Sequence, residues 1–422
     1  MKKHIVIIGG GFAGINLANS LSNIDQFDIT LVDKNNYIFF PPLIYQVATG
    51  YLETSSISYP FRKLLKEKKN IRFWLGKFVK VITEENKILI SNGELKYDYL
   101  VFAAGTKTNY FGMENVKKNA IPMKTLDDAL NMRNILLQRI EQATTTKNKA
   151  EKKKLLTMVI VGGGPTGVEV SGMFAEMSKT IIQKEYPELT HLSQTDIYLV
   201  DGGDKLLAPM SEKSQKYTYE TLKQLGVQIK LNAQVTDYDG EIVTFKDGSF
   251  IKTKNLIWAA GVTAMNFEGI PKACYGRSKR LIVDEYNKII GTDNIFAIGD
   301  TCIQETDKNF TAGHPQVAQV AIQQGKNLAK NFIALNSNKT QKPFKYKDRG
   351  SMAIIGKAKA VADIPNHNIH FHGFLAWITW LFIHIMSLIN YRNRLKTLYN
   401  WSVAYFLKDQ SLRLIVRPHE KV

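Results

Sequence analysis

The sequence predicts an α/β protein with two doubly wound domains followed by a C-terminal region of a different kind. The main observation is an internal repeat: a β-branched run, a glycine turn and an apolar-periodic helix occur as KHIVIIGGGFAGINLANSL and again as LTMVIVGGGPTGVEVSGMF from Leu156. Beyond Lys342 the composition changes, because YKDRGSMAIIGKAKAVAD is typical of paired strands and the remainder is aromatic, apolar and basic.

The first glycine turn has the spacing G-x-G-x-x-G between a predicted strand and a predicted helix. Gly9 allows the tight turn, Gly11 lets the backbone approach a pyrophosphate, and Gly14 permits close packing of helix on strand. Asp33 ends the next strand, DITLVD, where a carboxylate accepts hydrogen bonds from an adenosine ribose. A glycine turn that holds no ligand is the alternative interpretation.

The second glycine turn repeats this pattern with Gly162, Gly164 and Gly167, and Asp201 ends the strand DIYLVD. An acid at this place would repel the 2′-phosphate of NADP, and the next residues, Gly202, Gly203 and Asp204, include no arginine, so NADH is favoured over NADPH. Two such sites imply two bound dinucleotides. If one of them is NADH, the natural acceptor of its hydride is a flavin dinucleotide in the other site.

The composition excludes several classes of protein. The two cysteines, Cys274 and Cys302, lie far apart in the sequence. This excludes a disulfide scaffold and argues for a reducing compartment. The chain also lacks the dithiol pair that a disulfide reductase needs. We expect Cys302 to be a buried small side chain. The net charge of +18 indicates an anionic partner, but no nucleic-acid recognition module is present.

Between and after the repeats, the pattern predicts further elements. LDDALNMRNILLQRIEQA is typical of an amphipathic helix, residues near VTFKDGSF of turn-separated strands, and Pro315 to Phe332 of an apolar-periodic helix. The charge run TTTKNKAEKKK at 144–154 is expected to be a solvated surface loop.

At this point the chain closely resembles the type II NADH dehydrogenases, the non-pumping NADH:quinone oxidoreductases of the two-dinucleotide-binding-domain flavoprotein superfamily. The superfamily motifs are GGGFAG, LVFAAGT, LIWAAGV and TDNIFAIGD. The family-specific segments are PPLIYQVATG, which stands where related disulfide reductases carry redox cysteines, HPQVAQVAIQQG, RGSMAIIGKAKAVAD and WITWLFIHIMSLINYRNRL.

The resemblance implies an FAD-binding domain in 1–118 and 262–345, an inserted NAD(H)-binding domain in 119–261, and C-terminal strands and amphipathic membrane-anchoring helices in 346–422. The residues it assigns to FAD are Gly9, Gly11, Phe12, Ala13, Gly14, Asp33, Lys34, Ala104, Gly105, Asp300 and Gln319. Those it assigns to NAD are Gly162, Gly164, Pro165, Thr166, Gly167, Glu169, Asp201, Ala260 and Gly261. No metal site is expected.

Three residues are candidates for catalysis. Gln319 and Gln323 lie one helical turn apart and could orient the carbonyl groups of a quinone beside the flavin. The alternative is that both amides stabilise a contact between helix and sheet. By resemblance Glu169 lies near nicotinamide and flavin, where it could steady positive charge on NAD⁺ or assist protonation. Its alternative is an ordinary first-turn glutamate favoured by the helix dipole.

The stretch from Gly373 to Tyr391 contains no Lys, Arg, Asp or Glu, which raises the question of a membrane span. Its tryptophans and the bases that follow suit a helix pair in the headgroup plane of an anionic membrane better. We expect a peripheral, monotopic respiratory-chain enzyme at the cytoplasmic face of the cell membrane. A buried helix of a soluble dimer is the alternative, a homodimer is compatible with either, and a soluble redox protein is the rival acceptor.

Overall fold

The computed structural model describes residues 2–179, 183–189, 196–364, 369–407 and 412–416. The strands are β1 Lys3–Ile8, β2 Phe27–Asp33, β3 Tyr37–Phe39, β4 Ser58–Pro60, β5 Ile71–Leu75, β6 Phe78–Ile82, β7 Lys87–Ile90, β8 Gly93–Lys96, β9 Tyr99–Phe102, β10 Thr106–Thr108, β11 Ile121–Pro122, β12 Met158–Val161, β13 Ile197–Val200, β14 Gln228–Lys230, β15 Val235–Tyr238, β16 Ile242–Phe245, β17 Phe250–Lys252, β18 Asn255–Trp258, β19 Val262–Ala264, β20 Leu281–Ile282, β21 Ile295–Ala297, β22 Cys302–Ile303, β23 Ser351–Gly356, β24 Lys359–Ile364 and β25 Ile369–Gly373. The helices are α1 Phe12–Ser20, α2 Ile44–Ala48, α3 Thr54–Ile57, α4 Phe61–Leu64, α5 Glu114–Asn119, α6 Leu126–Thr145, α7 Lys149–Leu156, α8 Pro165–Met177, α9 Gln183–Glu185, α10 Glu212–Leu225, α11 Ala318–Asn336, α12 Phe374–Ser387 and α13 Tyr391–Ser402.

The chain forms two compact units, each built from separate segments. Unit 1 comprises Met1–Phe39, Tyr59–Lys107 and Val262–Asp348. Unit 2 comprises Phe40–Ser58, Thr108–Gly261 and Arg349–Val422. Because each unit is built from three segments, the polypeptide leaves and re-enters both units. Each unit contains one of the two glycine turns.

Unit 1 is built on a parallel sheet in the order β21-β9-β1-β2-β5. The central strand KHIVII is apolar because both of its faces are covered. Ile7 points at α1, while Val6 and Ile8 on the opposite face pack in one cluster with Ile88 and Ile90 of the antiparallel sheet β6-β7-β8. The helix α11 lies against α1.

Unit 2 repeats this arrangement, with a parallel sheet in the order β11-β18-β12-β13-β14 and an antiparallel sheet β15-β16-β17. Val159 and Val161 of the central strand pack with Val243 and Phe245 of the antiparallel sheet. The α/β class and the duplicated nucleotide-binding fold predicted from the sequence are confirmed, as are the strands near VTFKDGSF and the helix from Leu126.

The charge run at 144–154 is not the loop that its composition predicted, because most of it lies in α7. Asn148 caps this helix by accepting hydrogen bonds from the N–H groups of Ala150 and Glu151. The last residues of α7, Leu155 and Leu156, are buried. Glu151 forms ion pairs with Lys154 of the same helix and with Lys254. The cap at the N-terminus and the buried leucines at the C-terminus thus stabilise a helix in a segment whose composition alone predicts a solvated loop.

The C-terminal part of unit 2 consists of an antiparallel sheet, β23-β24-β25, followed by α12 and α13. The paired strands and the helix pair predicted from the sequence are therefore present, and the helix predicted from Pro315 begins at Ala318 and extends to Asn336. In the part of the chain that the structure describes, no helix has both the length and the apolar character needed to cross a bilayer.

Candidate active site

The first glycine turn joins β1 to α1, and two of its positions accept only glycine. Gly9 has a φ of +106°, and a Cβ atom there would lie 2.5 Å from the carbonyl oxygen of Ala103. A Cβ atom on Gly14 would collide with the carbonyl oxygen of Gly9, whereas one on Gly11 would meet nothing within 4 Å. The turn thus leaves open space at the N-terminus of α1, where the pyrophosphate of FAD fits.

Asp33, the last residue of β2, holds this turn from the side. Its carboxylate accepts hydrogen bonds from the N–H groups of Gly10 at 2.7 Å and Asn35 at 2.8 Å. Burial raises the pKa of Asp33 above its ordinary value, and the two backbone donors oppose that shift. A carboxylate offers about four acceptor positions, so it can also bind a ribose hydroxyl. Of the neighbouring residues assigned to FAD, Phe12 is half-buried, Ala13 is buried and Lys34 is exposed.

Two further loops of unit 1 meet at the same edge of the sheet. The loop after β9 carries Ala104 and Gly105, and the loop after β21 carries Asp300 and Thr301. The N–H of Gly105 donates to the hydroxyl of Thr301 at 2.9 Å, which joins the two loops. Because ligands of such sheets bind at the carboxyl ends of the strands, these loops and the first glycine turn form one candidate flavin site. We call the segment Gly299–Thr301 the flavin loop.

The second glycine turn, between β12 and α8, is nearly a copy of the first. Gly162 has a φ of +121°, and a Cβ atom there would lie 2.8 Å from the carbonyl oxygen of Ala259. A Cβ atom on Gly167 would collide with the carbonyl oxygen of Gly162, and one on Gly164 would meet nothing within 4 Å. The residues fit the pyrophosphate of NADH by the same argument. Pro165 is the first residue of α8, where its missing N–H costs nothing, and Thr166 follows it.

Asp201 holds the second turn as Asp33 holds the first. Its carboxylate accepts the N–H of Gly163 at 2.5 Å and the N–H of Gly203 at 2.6 Å. Gly202, Gly203 and Asp204 are exposed. The loop after β18 contributes Ala260 and Gly261, whose φ is +71°. All residues assigned to NAD lie in unit 2.

The two candidate glutamines differ in their surroundings. The amide of Gln323 donates to the carbonyl of Lys347 at 2.9 Å and accepts the N–H of Lys347 at 3.1 Å. This is the kind of contact that the packing alternative predicts for Gln323. Gln319 lies one turn earlier on α11, beside the partly buried Ala318 and Ile322. The role of both amides in quinone binding stays a prediction.

Glu169 lies within α8 and is 8% exposed. Burial raises the pKa of Glu169 well above its ordinary value, and a hydrogen bond from the N–H of Ile354 in β23 opposes the shift. Burial therefore favours the neutral form of this carboxyl group, which suits proton transfer better than the stabilisation of a cation. The alternative interpretation, a first-turn glutamate favoured by the helix dipole, does not match either, because α8 begins at Pro165 and has no acidic residue in its first turn.

Neither cysteine is arranged for chemistry. Cys302 is 1% exposed, its thiol donates weakly to the carbonyl oxygen of Gly299 at 3.4 Å, and burial raises its pKa to about 12. Cys274 is also buried and unlinked. Both behave as small apolar side chains. Among the described residues, no group of His, Cys, Asp and Glu is arranged to hold a metal ion.

Sequence reasoning missed three side chains that hold the flavin loop or the residue directly after it. Gln316 donates to the carbonyl of Asp300 at 3.0 Å, and Gln324 accepts the N–H of Gly299 at 2.7 Å. Arg280 donates to the carbonyl of Cys302 at 2.6 Å. The segment HPQVAQVAIQQG shows that glutamines are concentrated here, but not which of them faces the loop. Arg280 gave no signal, since basic residues are common throughout the chain.

Comparison with known proteins agrees with this arrangement. Residues 3–325 match the pyridine nucleotide-disulphide oxidoreductase family, and residues 349–409 match the NDH2 C-terminal domain. A solved structure described as NDH2 from Plasmodium falciparum in complex with NADH has a TM-score of 0.89 at 24% identity, covering 99% of this chain and 100% of that one, which shows the shared fold.

Curated relatives extend the match to sequence. A type II NADH:quinone oxidoreductase of Mycobacterium tuberculosis is 36% identical, with 96% of this chain and 87% of the relative covered. One from Haemophilus influenzae is 30% identical, with 86% of this chain and 87% of the relative covered. With two nucleotide turns, buried cysteines that cannot relay electrons, and this degree of identity over nearly its whole length, the chain belongs to the type II NADH:quinone oxidoreductase family.

Proposed function

We propose that this enzyme oxidises NADH through bound FAD and reduces a membrane quinone by two electrons, without pumping protons. The observation that carries the proposal is the pair of glycine turns, each with open space at a helix N-terminus and a carboxylate at its side. FAD, when bound, accepts hydride from NADH and can pass two electrons onward. Membership of the family supplies quinone as the acceptor.

The division of labour that we propose follows the glycine turns. Residues 1–118 and 262–345 bind FAD, residues 119–261 bind NADH, and residues 346–422 attach the enzyme to the membrane. Asp201 selects NADH, because its carboxylate would repel the 2′-phosphate of NADPH. Glu169 acts as a proton donor or acceptor near the reacting rings, a role that its burial and raised pKa support.

For the quinone, we assign the two glutamines different tasks. Gln319 orients a carbonyl oxygen of the quinone by donating from its amide. Gln323 already binds both backbone groups of Lys347, so its contribution is to hold the wall of the site at that point. The small, partly buried side chain of Ala318 leaves room for a flat ring beside Gln319.

We propose that α12 and α13 bind in the headgroup plane of an anionic membrane. The apolar side chains that they expose are Phe374, Leu375, Ile378, Phe382, Ile383, Met386, Tyr391, Leu395, Leu398 and Tyr399. α12 has 14 residues, which at roughly 1.5 Å each is far shorter than the roughly 30 Å of a hydrocarbon core. Arg392, which is exposed, would add attraction to anionic lipid, whereas Lys396 is paired with Glu53 of the same unit.

The opposite face of α13 explains why the apolar stripe stays exposed. Asn393 donates to the carbonyl of Ser56 at 2.7 Å, and Trp401 donates to the side chain of Gln46 at 2.6 Å. These buried polar contacts hold the helix to its own unit, so Leu395 and Leu398 must face outward. The residues to be covered are therefore defined, and lipid is the partner that a quinone reductase must approach.

A pair of substitutions tests the membrane proposal. Phe382→Asp with Leu395→Asp should weaken sedimentation with phosphatidylglycerol vesicles roughly tenfold or more, since both side chains lose apolar burial. Phe250→Asp is the matched control, because Phe250 is 59% exposed on β17 of the same unit. NADH oxidation with ferricyanide should persist in both variants. Unchanged vesicle binding in the double variant, with a smaller sedimentation coefficient, would instead assign this face to a homodimer.

The rival function, reduction of a soluble redox protein, gives no use to the exposed stripe on α12 and α13. The direct test is to purify the protein, record its visible spectrum, and compare NADH with NADPH as donors to a short-chain quinone. We expect a yellow protein, rapid quinone reduction with NADH and little with NADPH. A colourless protein that does not take up FAD, or one that reduces no quinone, would overturn the proposed function.

A further inference from the structure

Arg280 is a buried cation of unit 1, 7% exposed. Its Nε donates to the carbonyl oxygen of Cys302 at 2.6 Å, and its Nη2 donates to the carbonyl oxygen of His314 at 3.1 Å. Among the described residues it forms no salt bridge with a carboxylate. Arginine is seldom buried without such a pair, because desolvation of the charge is costly. The position therefore requires what a planar, two-pronged donor supplies.

The two carbonyl groups belong to two segments with different tasks. Cys302 directly follows the flavin loop, which carries Asp300. His314 begins the four-residue segment that leads into α11, and α11 carries Gln319 and Gln323. One guanidinium thus bridges the segment that holds the flavin and the segment that positions the quinone amides.

Two glutamines strengthen the same connection. Gln316, in the lead-in segment, donates to the carbonyl of Asp300 at 3.0 Å. Gln324, on α11, accepts the N–H of Gly299 at 2.7 Å. We call Arg280, Gln316 and Gln324 the clamp. Gln316 and Gln324 join the flavin loop to α11 or its lead-in, and Arg280 joins the residue directly after the loop to the lead-in. None of the three is among the residues assigned to a cofactor.

The far side of the clamp is itself immobilised. His314 is 1% exposed, and its Nε2 lies 3.0 Å from the carboxylate of Asp307. Gly325 lets α11 approach α1 so closely that a Cβ atom there would lie 2.6 Å from the carbonyl oxygen of Ala13. The clamp therefore supplies polar contacts between the flavin loop and an α11 that is already held in place, beside the direct packing of Gly299 on Ala321.

We propose that Arg280 is a positioning residue that sets the spacing between the bound flavin and the quinone-binding face of α11. The inference rests on the proposed function of Gln319 and Asp300. Electron transfer to a docked ring requires contact geometry, and a displacement of about 1 Å can cost up to roughly 100-fold in rate. Lysine, with one point-like donor group, could reach one of the two carbonyls but not bridge both.

The test compares Arg280→Met and Arg280→Lys with a matched control. Arg277 is exposed and donates to the carbonyl of Ala312 at 2.8 Å, near the lead-in segment but away from the flavin loop, so Arg277→Met is the control. We expect kcat/KM for a short-chain quinone to fall roughly 10- to 100-fold in Arg280→Met and less in Arg280→Lys. NADH oxidation with ferricyanide should stay within about twofold of wild type, as should every activity of Arg277→Met.

A second readout follows the charge. Loss of the buried cation should lower the midpoint potential of the flavin in Arg280→Met but not in Arg280→Lys, because reduced flavin carries more negative charge. Gln316→Leu, at a partly exposed position, serves if Arg280→Met does not fold, and should lower kcat/KM for quinone with ferricyanide reduction retained. Equal losses with quinone and ferricyanide, or an unchanged potential and kcat/KM, would overturn the clamp. A wild-type enzyme that reduces no quinone would overturn the proposed function, and the potential would still decide the role of Arg280.

Discussion

The helices that follow the two glycine turns begin at the same place in the motif, but they differ in length and are covered by different elements. In unit 1, α11 covers α1, and Gly325 allows the contact with the backbone of Ala13. In unit 2, β23 covers α8, and a Cβ atom on Gly172 would collide with the carbonyl oxygen of Ile355. The turn provides the dinucleotide site, and the covering element differs: in unit 1 it is α11, which carries the glutamines that we propose for quinone binding, and in unit 2 it is the first strand of the C-terminal sheet.

Equivalent positions on the two helices show the consequence. Asn16 and Glu169 each lie seven residues after the first glycine of their turn. Asn16 donates back to the carbonyl of Phe12 within its own helix, at 2.8 Å. Glu169 instead accepts the N–H of Ile354 in the covering strand. The same position of the motif therefore carries a side chain bonded within its own helix in the first copy and a buried acid bonded to the covering strand in the second.

The largest effect should come from the third glycine of each turn. Gly14→Ala places a methyl group on the carbonyl oxygen of Gly9, and Gly167→Ala places one on that of Gly162, so the affinity for the dinucleotide should fall about 100-fold, roughly 2.7 kcal/mol. Gly14→Ala should yield colourless protein, whereas Gly167→Ala should stay yellow and lose oxidation of NADH. Flavin absorbance and NADH kinetics distinguish the two, and the same phenotype from both would contradict the assignment of one dinucleotide to each unit.

A smaller effect is expected where the covering elements touch these helices. Overpacking costs about 1–3 kcal/mol, which Gly325→Ala would impose between α11 and α1, and Gly172→Ala between β23 and α8. Gly325→Ala should loosen flavin and raise the KM for quinone. Gly172→Ala should leave flavin bound and weaken vesicle binding, because the displaced strand belongs to the C-terminal sheet. Thermal release of flavin and vesicle sedimentation measure the two outcomes, and loss of flavin from both variants would contradict the division.

Glu169→Gln should slow reduction of the flavin by NADH about tenfold in stopped-flow measurements, within the range for loss of a proton-transferring group at its low end. The amide keeps the size of the side chain and its contact with Ile354 but cannot exchange a proton. Glu176→Gln is the matched control, since Glu176 is a half-buried acid seven residues later on α8 and also accepts a backbone N–H, that of Lys357. An unchanged rate in Glu169→Gln, or an equal loss in Glu176→Gln, would assign Glu169 to packing alone.

The sequence predicted the features that depend on local geometry. The β-branched run KHIVII predicts a strand, and the three spaced glycines predict the turn that follows it. The motif also predicts the carboxylate at the end of the next strand. The same reasoning failed at α7, because the cap at Asn148, the burial of Leu155 and the ion pair of Lys154 with Glu241 need partners that a charge run does not reveal.

The candidate site divides in the same way. Glycines and acids could be placed from the motifs, but the glutamines of α11 could not be ranked, because their directions depend on how the helix is rotated on α1. Gly325 and Ala13 decide that rotation through a contact between residues far apart in sequence. The clamp residue Arg280 was invisible for the same reason, since its two acceptors are backbone carbonyls and carry no sequence signal.

The last and smallest prediction concerns the side-chain hydrogen bonds that hold the covering elements, α11 in unit 1 and the C-terminal sheet in unit 2. In unit 1 the fastening side chain of α11 is the neutral amide of Gln324. In unit 2 the carboxylate of Asp363 on β24 accepts the N–H of Ser211 at 2.6 Å and the hydroxyl of Ser214 at 2.6 Å, which ties the C-terminal sheet to α10. Burial opposes ionisation of Asp363, but these hydrogen bonds hold its pKa below the ordinary value.

Because the pKa of Asp363 is lower in the folded state, its stabilising effect is complete above about pH 4 and is lost as the pH falls through the folded-state pKa. Asp363→Asn should remove about 1–3 kcal/mol at pH 7. Hydrogen exchange should therefore show β24 losing protection in this variant, and in wild type below pH 4, before α11 does. Equal loss of protection in α11 would mean that the two covers open together and are not fastened separately.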